Sequence, residues 1–204
     1  MKSGIVMDWD GTVLNSMGNV MKAYSVLLDK PLDYVLKNYD PDWKEFLRRE
    51  GVKEPSREEW KILLDRFENE LFEGASEYLK KAHNDKYRLA IVTSSNSLSL
   101  NSDLKKFNLD GLFETYVTFE DVKNIKPHPE GINIAMKRLD VTPKECVYVG
   151  DTVVDAVASK NAGVDFVGVS WGILDSLEDI RNVDREKIKI AHSFEELYNI
   201  IKEL

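Results

Sequence analysis

The sequence predicts an α/β fold, a parallel-sheet core carrying an inserted all-helical domain, and three observations predict it. Short apolar runs rich in β-branched residues recur along the chain, as strands buried on both faces do. Longer helical patterns lie between them, and strand-helix-strand alternation implies parallel strands joined by right-handed crossovers. One stretch, residues 16–74, breaks the alternation and holds no strand-like run.

The first run is Gly4-Ile5-Val6-Met7, ending at Asp8. Four helical pieces then follow at about 17–29, 33–38, 42–50 and 56–72, punctuated by Pro31, Pro41, Gly51 and Pro55. In the last piece Trp60, Leu63, Leu64, Phe67 and Leu71 recur at spacings of three and four, one apolar helix face. Next come a helix over Glu77–His83 and the run Arg88–Val92, which ends at Thr93-Ser94-Ser95-Asn96. A helix over Ser97–Phe107, a weaker strand over Thr115–Phe119 and a helix over Gly131–Leu139 continue the alternation. Cys146–Val149 ends at Gly150-Asp151, Val153–Ala162 is helical, and Asp165–Val169 ends at Ser170-Trp171-Gly172. The tail His192–Leu197 reads as a strand exit into a last helix, with Ser193 as N-cap and Glu196 completing a capping box. The division follows: a catalytic core of residues 1–15 and 75–204, and a helical domain of residues 16–74.

Composition narrows the partners. The chain of 204 residues has 28 Lys+Arg and 36 Asp+Glu, a net charge of −8. Such a chain does not draw nucleic acid or an anionic membrane by its bulk field. An anionic substrate would need locally placed cations. The single cysteine, Cys146, excludes an internal disulfide and suits a reducing compartment; within its apolar run it reads as a small core residue. No window approaches the roughly 18 apolar residues of a membrane span, and the short run before Asp8 is too brief for a secretory signal. A cytoplasmic protein is expected, monomeric or homodimeric.

The polar residues that close the strands carry the chemistry. Ligands bind at the carboxyl ends of parallel strands, and Asp8, Asp10, Thr93, Lys126 and Asp151 all fall there. In an extended segment Asp8 and Asp10 share a side, where two carboxylates repel unless a cation or a proton intervenes. The five residues Asp8-Trp9-Asp10-Gly11-Thr12 alone leave an Asx turn open as the alternative. Asp151 opens a helix and Asp155 lies one turn on, so capping alone is open there too. Together, three carboxylates at one sheet edge call for an oxygen-ligated divalent cation, and Mg²⁺ fits, with one or two carboxylates, waters and substrate phosphate. Thr93-Ser94-Ser95-Asn96 offers hydroxyls and backbone N–H groups at a helix start, suited to an anion or to an N-cap. Pro127 extends the chain at Lys126 and so aims its cation.

These residues, in this order, resemble the haloacid dehalogenase superfamily of phosphatases. Asp8-Trp9-Asp10-Gly11-Thr12 is similar to its first motif, Thr93 to its second, Lys126 in Lys126-Pro127-His128-Pro129-Glu130 to its third, and Gly150-Asp151 with Asp155 to its fourth. The resemblance spans residues 4 to about 172 and implies a Rossmann-like core. It implies that Asp8 attacks phosphorus to form an aspartyl-phosphate and that Asp10 works as acid and base. It implies Mg²⁺ on Asp8, Asp151 and the Asp10 backbone carbonyl, with Asp155 holding metal-bound water. Thr93, Lys126 and the Ser94 backbone would bind the phosphoryl oxygens. The helical insert resembles the cap of phosphoglycolate-phosphatase-like members, which closes over the site. Trp43, Lys44, Arg48 and Arg49 are its candidate substrate contacts, and the expected substrate is a small phosphorylated metabolite.

Two other functions compete. A sugar phosphomutase of the same fold would keep Asp10, but residues 15–74 show no Gly/Ser/Arg-rich substrate loop of the kind such caps carry. A non-catalytic binding module would have lost a carboxylate or the lysine, and here all are present.

Overall fold

Alternate residues along each apolar run face opposite sides of a single sheet, so the same short runs feed two cores. The computed structural model describes residues 2–39, 43–64, 66–172 and 177–204, without the side chains of Trp43, Lys44, Arg57 and Lys61. The strands are β1 (Gly4–Met7), β2 (Arg88–Val92), β3 (Thr115–Val117), β4 (Cys146–Gly150), β5 (Asp165–Val169) and β6 (Lys189–Ala191). All pairings are parallel, in the order β3-β2-β1-β4-β5-β6. Ile5, Met7, Leu89, Ile91, Val147 and Val149 face one way. There they meet α5 (Ala75–Asn84), α6 (Ser97–Lys106) and α10 (Phe194–Glu203), through residues such as Leu79, Leu100 and Leu197. Val6, Ala90, Val92, Cys146 and Tyr148 face the other way. They meet α7 (Glu130–Arg138), α8 (Val153–Ala162) and α9 (Leu177–Val183), through Ile132, Ala156 and Ile180. This is the two-faced helix cover that a parallel sheet requires. Truncating a fully buried strand residue such as Leu89 to alanine should cost about 2–5 kcal/mol.

The chain divides into two compact units, one of residues 1–14 and 71–204, the other of residues 15–70. The second unit is helical throughout its described elements: α1 (Ser16–Leu28), α2 (Leu32–Asn38), α3 (Trp43–Arg49) and α4 (Arg57–Leu64). Its core joins Met21, Tyr24, Leu28, Val35, Phe46 and Leu47. Tyr24 is its hub, with ring centroids 5.4 Å from Phe46 and 4.9 Å from Trp60.

Several expectations are corrected. The helix drawn over 56–72 does not run to its end: α4 covers Arg57–Leu64. The regular spacing from Trp60 to Leu71 serves two cores, because Trp60 packs into the helical unit and Leu71 against the sheet. Leu71 bridges Leu14 in extended conformation, and the Asn19 amide holds the Glu68 carbonyl at 2.9 Å. The weak strand stops at Val117, where Asp121 accepts from the Thr118 N–H and hydroxyl and turns the chain into a short 3-10 helix. β6 was legible only as a strand exit, since Lys189 opens a run of three residues. Ser193 does cap α10, accepting from the Glu196 N–H, but Glu196 reaches back to the His192 N–H rather than to Ser193, so the box is offset by one residue. Pro41 and the side chains of Trp43 and Lys44 lie outside the described residues. No helix among the described residues is long and apolar enough to cross a membrane.

Candidate active site

The order of strands reverses between β1 and β4, and their carboxyl ends deliver Asp8 and Asp151 to the crevice where such sheets bind ligands. Asp155 joins them from the first turn of α8. Its place there is set by Thr152, the N-cap, whose hydroxyl accepts from the Asp155 N–H while the Asp155 carboxylate accepts from the Thr152 N–H. Thr152, not Asp151, therefore caps this helix, and Asp151 is left for another task. Asp8, Asp151 and Asp155 are 6%, 2% and 0% exposed. One oxygen from each lies within 4.8 Å of the others.

Among the described residues one cation pairs with this cluster, at two of its three carboxylates. The Lys126 ammonium sits 2.8 Å from Asp8 Oδ1 and 2.7 Å from Asp155 Oδ1. It also donates to the Tyr148 hydroxyl at 3.3 Å. Lys126 precedes Pro127 across a cis peptide. Burial pushes the Asp8 carboxyl well above the usual range, with Lys126 opposing and the other two aspartates adding. Burial and then Asp155 push Asp151 up to about 7, against the pull of a Thr12 hydrogen bond. Burial works against the Lys126 ammonium, yet Asp155 and Asp8 outweigh it and hold its pKa well above the ordinary lysine value.

The hydrogen-bond accounts of the three acids differ. Both Asp155 oxygens are occupied, Oδ1 by Lys126 and Tyr148 and Oδ2 by the N–H and hydroxyl of Thr152. Asp151 Oδ1 accepts from the Thr12 hydroxyl at 2.9 Å. Asp151 Oδ2 is buried without a partner, an expensive state for a charged oxygen. Glycines make room around it: a Cβ on Gly11 would lie 2.2 Å from this oxygen, and one on Gly172 2.5 Å from it. Gly11 also has φ +79, a conformation that favours glycine. An orphaned carboxylate oxygen in an all-oxygen acidic cluster fits a hard divalent cation.

Asp10 stands outside this cluster. Its Oδ2 accepts from the Thr93 hydroxyl at 3.3 Å and the Ser95 hydroxyl at 2.7 Å. Thr93 is 4% exposed and accepts from the Ser95 N–H. Ser94 is exposed beside them. His128 is exposed too, and its Nδ1 accepts from the Glu130 N–H. In the helical unit Arg48 pairs with Glu45, and Arg49 donates to the Asn38 carbonyl.

Sequence reasoning missed Ser95, Tyr148, Thr12 and Trp171. The chain bends after β2, the Ser95 N–H turning back onto the Thr93 hydroxyl at 3.0 Å, and this local turn brings both hydroxyls to Asp10. Tyr148 passed as an apolar strand residue, although a fully buried tyrosine needs a partner for its hydroxyl. Trp171 donates its indole N–H to the Thr12 carbonyl at 2.8 Å and so steadies the residue that holds Asp151. Trp9, between the two catalytic candidates, is 0% exposed and donates to Asp103.

A family model described as haloacid dehalogenase-like hydrolase matches residues 5–169. The chain belongs to this family. The resemblance read from the four motifs holds, and the chain is an enzyme of this hydrolase family. Among its relatives, Pyrophosphatase PpaX of Bacillus velezensis is 30% identical over 185 residues, 84% of each chain. PpaX of Halalkalibacterium halodurans is 30% identical over 186 residues, 83% of this chain and 84% of its own. A solved haloacid dehalogenase family hydrolase from Deinococcus radiodurans R1, with bound phosphate and sodium, superposes with a TM-score of 0.83. It is 21% identical, over 99% of this chain and 96% of its own. A predicted phosphoglycolate phosphatase from Haemophilus somnus gives 0.75 at 22% identity, over 98% of each chain. At these identities the two structures speak for the haloacid dehalogenase fold alone.

Proposed function

We propose that this chain is a Mg²⁺-dependent phosphatase acting on a small phosphorylated metabolite through an aspartyl-phosphate on Asp8. The observation that carries the proposal is the buried cluster of Asp8, Asp151 and Asp155, answered by Lys126 and left with an unpartnered oxygen on Asp151. Three carboxylates against one ammonium leave two negative charges uncompensated, which a divalent cation neutralises.

Asp8 and Asp151 are the residues to hold Mg²⁺ directly, with the Asp10 carbonyl. Asp155, with both oxygens occupied, orients Lys126 instead. Bound there, Mg²⁺ supplies charge neutralisation to the transferring phosphoryl group. An Asp8 oxygen attacks phosphorus, and the bond from phosphorus to the leaving oxygen breaks. Asp10 gives that oxygen a proton, then takes one from the water that hydrolyses the aspartyl-phosphate. Ser95 holds the Asp10 carboxylate on station, and the Thr93 hydroxyl passes its one proton from Asp10 Oδ2 to a phosphoryl oxygen. Thr93, the Ser94 backbone N–H and Lys126 bind the phosphoryl oxygens. The helical unit serves as the cap that excludes water and selects substrate.

The relatives named PpaX make pyrophosphate the first substrate to try, and the fold neighbours make phosphoglycolate the second. Asp10 discriminates between them, because an alkoxide leaving group needs its proton more than phosphate does. The test is phosphate release from a panel of phosphorylated metabolites with Mg²⁺ or with chelator, beside Asp8→Asn. Mg²⁺-dependent release lost in the variant supports the proposal. No release from any member, or undiminished release by Asp8→Asn, refutes it. Interconversion of sugar-phosphate isomers without free phosphate would instead identify a mutase.

A further inference from the structure

An ammonium has three N–H donors and no acceptor. In Lys126 all three have acceptors: Asp8 Oδ1 at 2.8 Å, Asp155 Oδ1 at 2.7 Å and the Tyr148 hydroxyl at 3.3 Å. The proposed function asks the same ammonium to bind a phosphoryl oxygen. A saturated ammonium does this only by releasing a partner. Asp8 is the partner that changes state, because its carboxylate attacks phosphorus and becomes an acyl phosphate. Asp155 stays, its far oxygen tied to the Thr152 N–H and hydroxyl.

Tyr148 stays as well. It lies inside β4 between β1 and β5, is 0% exposed, and packs its ring 6.2 Å from that of Phe166. Its single hydroxyl proton has a good acceptor in Asp155 Oδ1 at 3.0 Å and a poorer one in the Val92 carbonyl at 3.5 Å. With that proton on Asp155, the hydroxyl oxygen faces Lys126 as an acceptor. Tyrosine, lysine and aspartate thus close a triangle in which each side is a hydrogen bond.

We propose that Tyr148 is a positioning residue for Lys126: its hydroxyl and the Asp155 carboxylate form a fixed two-point seat, freeing the third N–H to pass from Asp8 to the phosphoryl group. This rests on the reading of Lys126 as a phosphoryl-binding residue. Without the hydroxyl, Lys126 is held at one fixed point and pivots. The cost falls on the transition state, where misplacement by about 1 Å can lower the rate on the order of a hundredfold, and less on ground-state substrate binding.

Tyr148→Phe removes one oxygen and keeps the ring. We expect kcat to fall about ten- to hundredfold, KM to move little, and Tm to drop only slightly. A merely structural tyrosine would lower Tm and leave kcat per folded molecule unchanged. A second measurement does not use activity. Acetic anhydride labelling of lysines, read by mass spectrometry on the folded protein, should find Lys126 protected in the parent and several-fold faster to react in Tyr148→Phe. Unchanged kcat with Lys126 equally protected in both proteins overturns the proposal. If the parent hydrolyses no phosphate compound, the functional reading fails, and the labelling result still decides whether Tyr148 seats Lys126.

Discussion

Replacing Lys126 with methionine removes a cation from a site where nothing else described balances Asp8 and Asp155. The side chains of the three residues are 9%, 8% and 0% exposed, so water cannot take over the lost interactions. Breaking a buried ion pair by deleting one partner costs about 3–5 kcal/mol. At about 2–4 °C per kcal/mol for a chain of this size, chelator-treated Lys126→Met should melt roughly 6–20 °C below the parent. Asp155→Asn in the same background should recover part of the loss, with a coupling of about 0.5–3 kcal/mol between the two sites. Mg²⁺ should narrow the gap, because it supplies positive charge to the same carboxylates. Thermal melts followed by circular dichroism, in chelator and in Mg²⁺, measure the parent, Lys126→Met, Asp155→Asn and the double variant. A Lys126→Met protein that melts within about 2 °C of the parent in chelator would show that the cluster is not held by this cation, and the electrostatic reasoning would fall.

Three other outcomes are expected. Asp10→Asn should lower kcat by about 10²–10⁴ with little change in Tm, since an amide oxygen can still accept from Thr93 and Ser95; steady-state kinetics beside a melt checks both. Gly11→Ala should cost about 1–2 kcal/mol for its left-handed backbone and abolish any Mg²⁺-induced rise in Tm, because the new Cβ displaces Asp151 Oδ2; Gly111→Ala, with nothing within 4 Å of its Cβ, should be nearly neutral. Burial pushes the Cys146 thiol from 9.0 up to about 12. As the folded value is the higher, this thiol supports the native state below pH 9 and its contribution fades as the pH climbs through 12. Iodoacetamide at mildly alkaline pH should therefore spare Cys146 in the folded chain and modify it in denaturant.

The sheet was legible because a strand buried on both faces leaves an unmistakable apolar run, and the polar residue that ends such a run falls where ligands bind. That is why Asp8, Thr93 and Asp151 could be picked out from one sequence. What was not legible needed knowledge of neighbours. Leu71 fits the apolar spacing of a helix as well as it fits a bridge to Leu14, and only the partner distinguishes them. Any hydroxyl of Ser94 and Ser95 could have met a ligand or an acid; the bend after β2 turns Ser95 onto Asp10. The division of labour among the three buried acids was hidden for the same reason. Asp151 and Asp155 are alike in sequence, and they differ because Thr152, Lys126 and Tyr148 together fill one carboxylate while Thr12 half-fills the other.

β1 is bonded along its length to β2 on one side and β4 on the other, and the Asp8 N–H continues the ladder to the Val149 carbonyl at 2.9 Å. A strand in this position opens only when its neighbours do, so its amides belong to the slowest class in hydrogen exchange. The proposed nucleophile, Asp8, is thus mounted at the end of the segment with the least freedom to breathe. Breathing of the loops around it can admit substrate and release product while the attacking atom keeps its address.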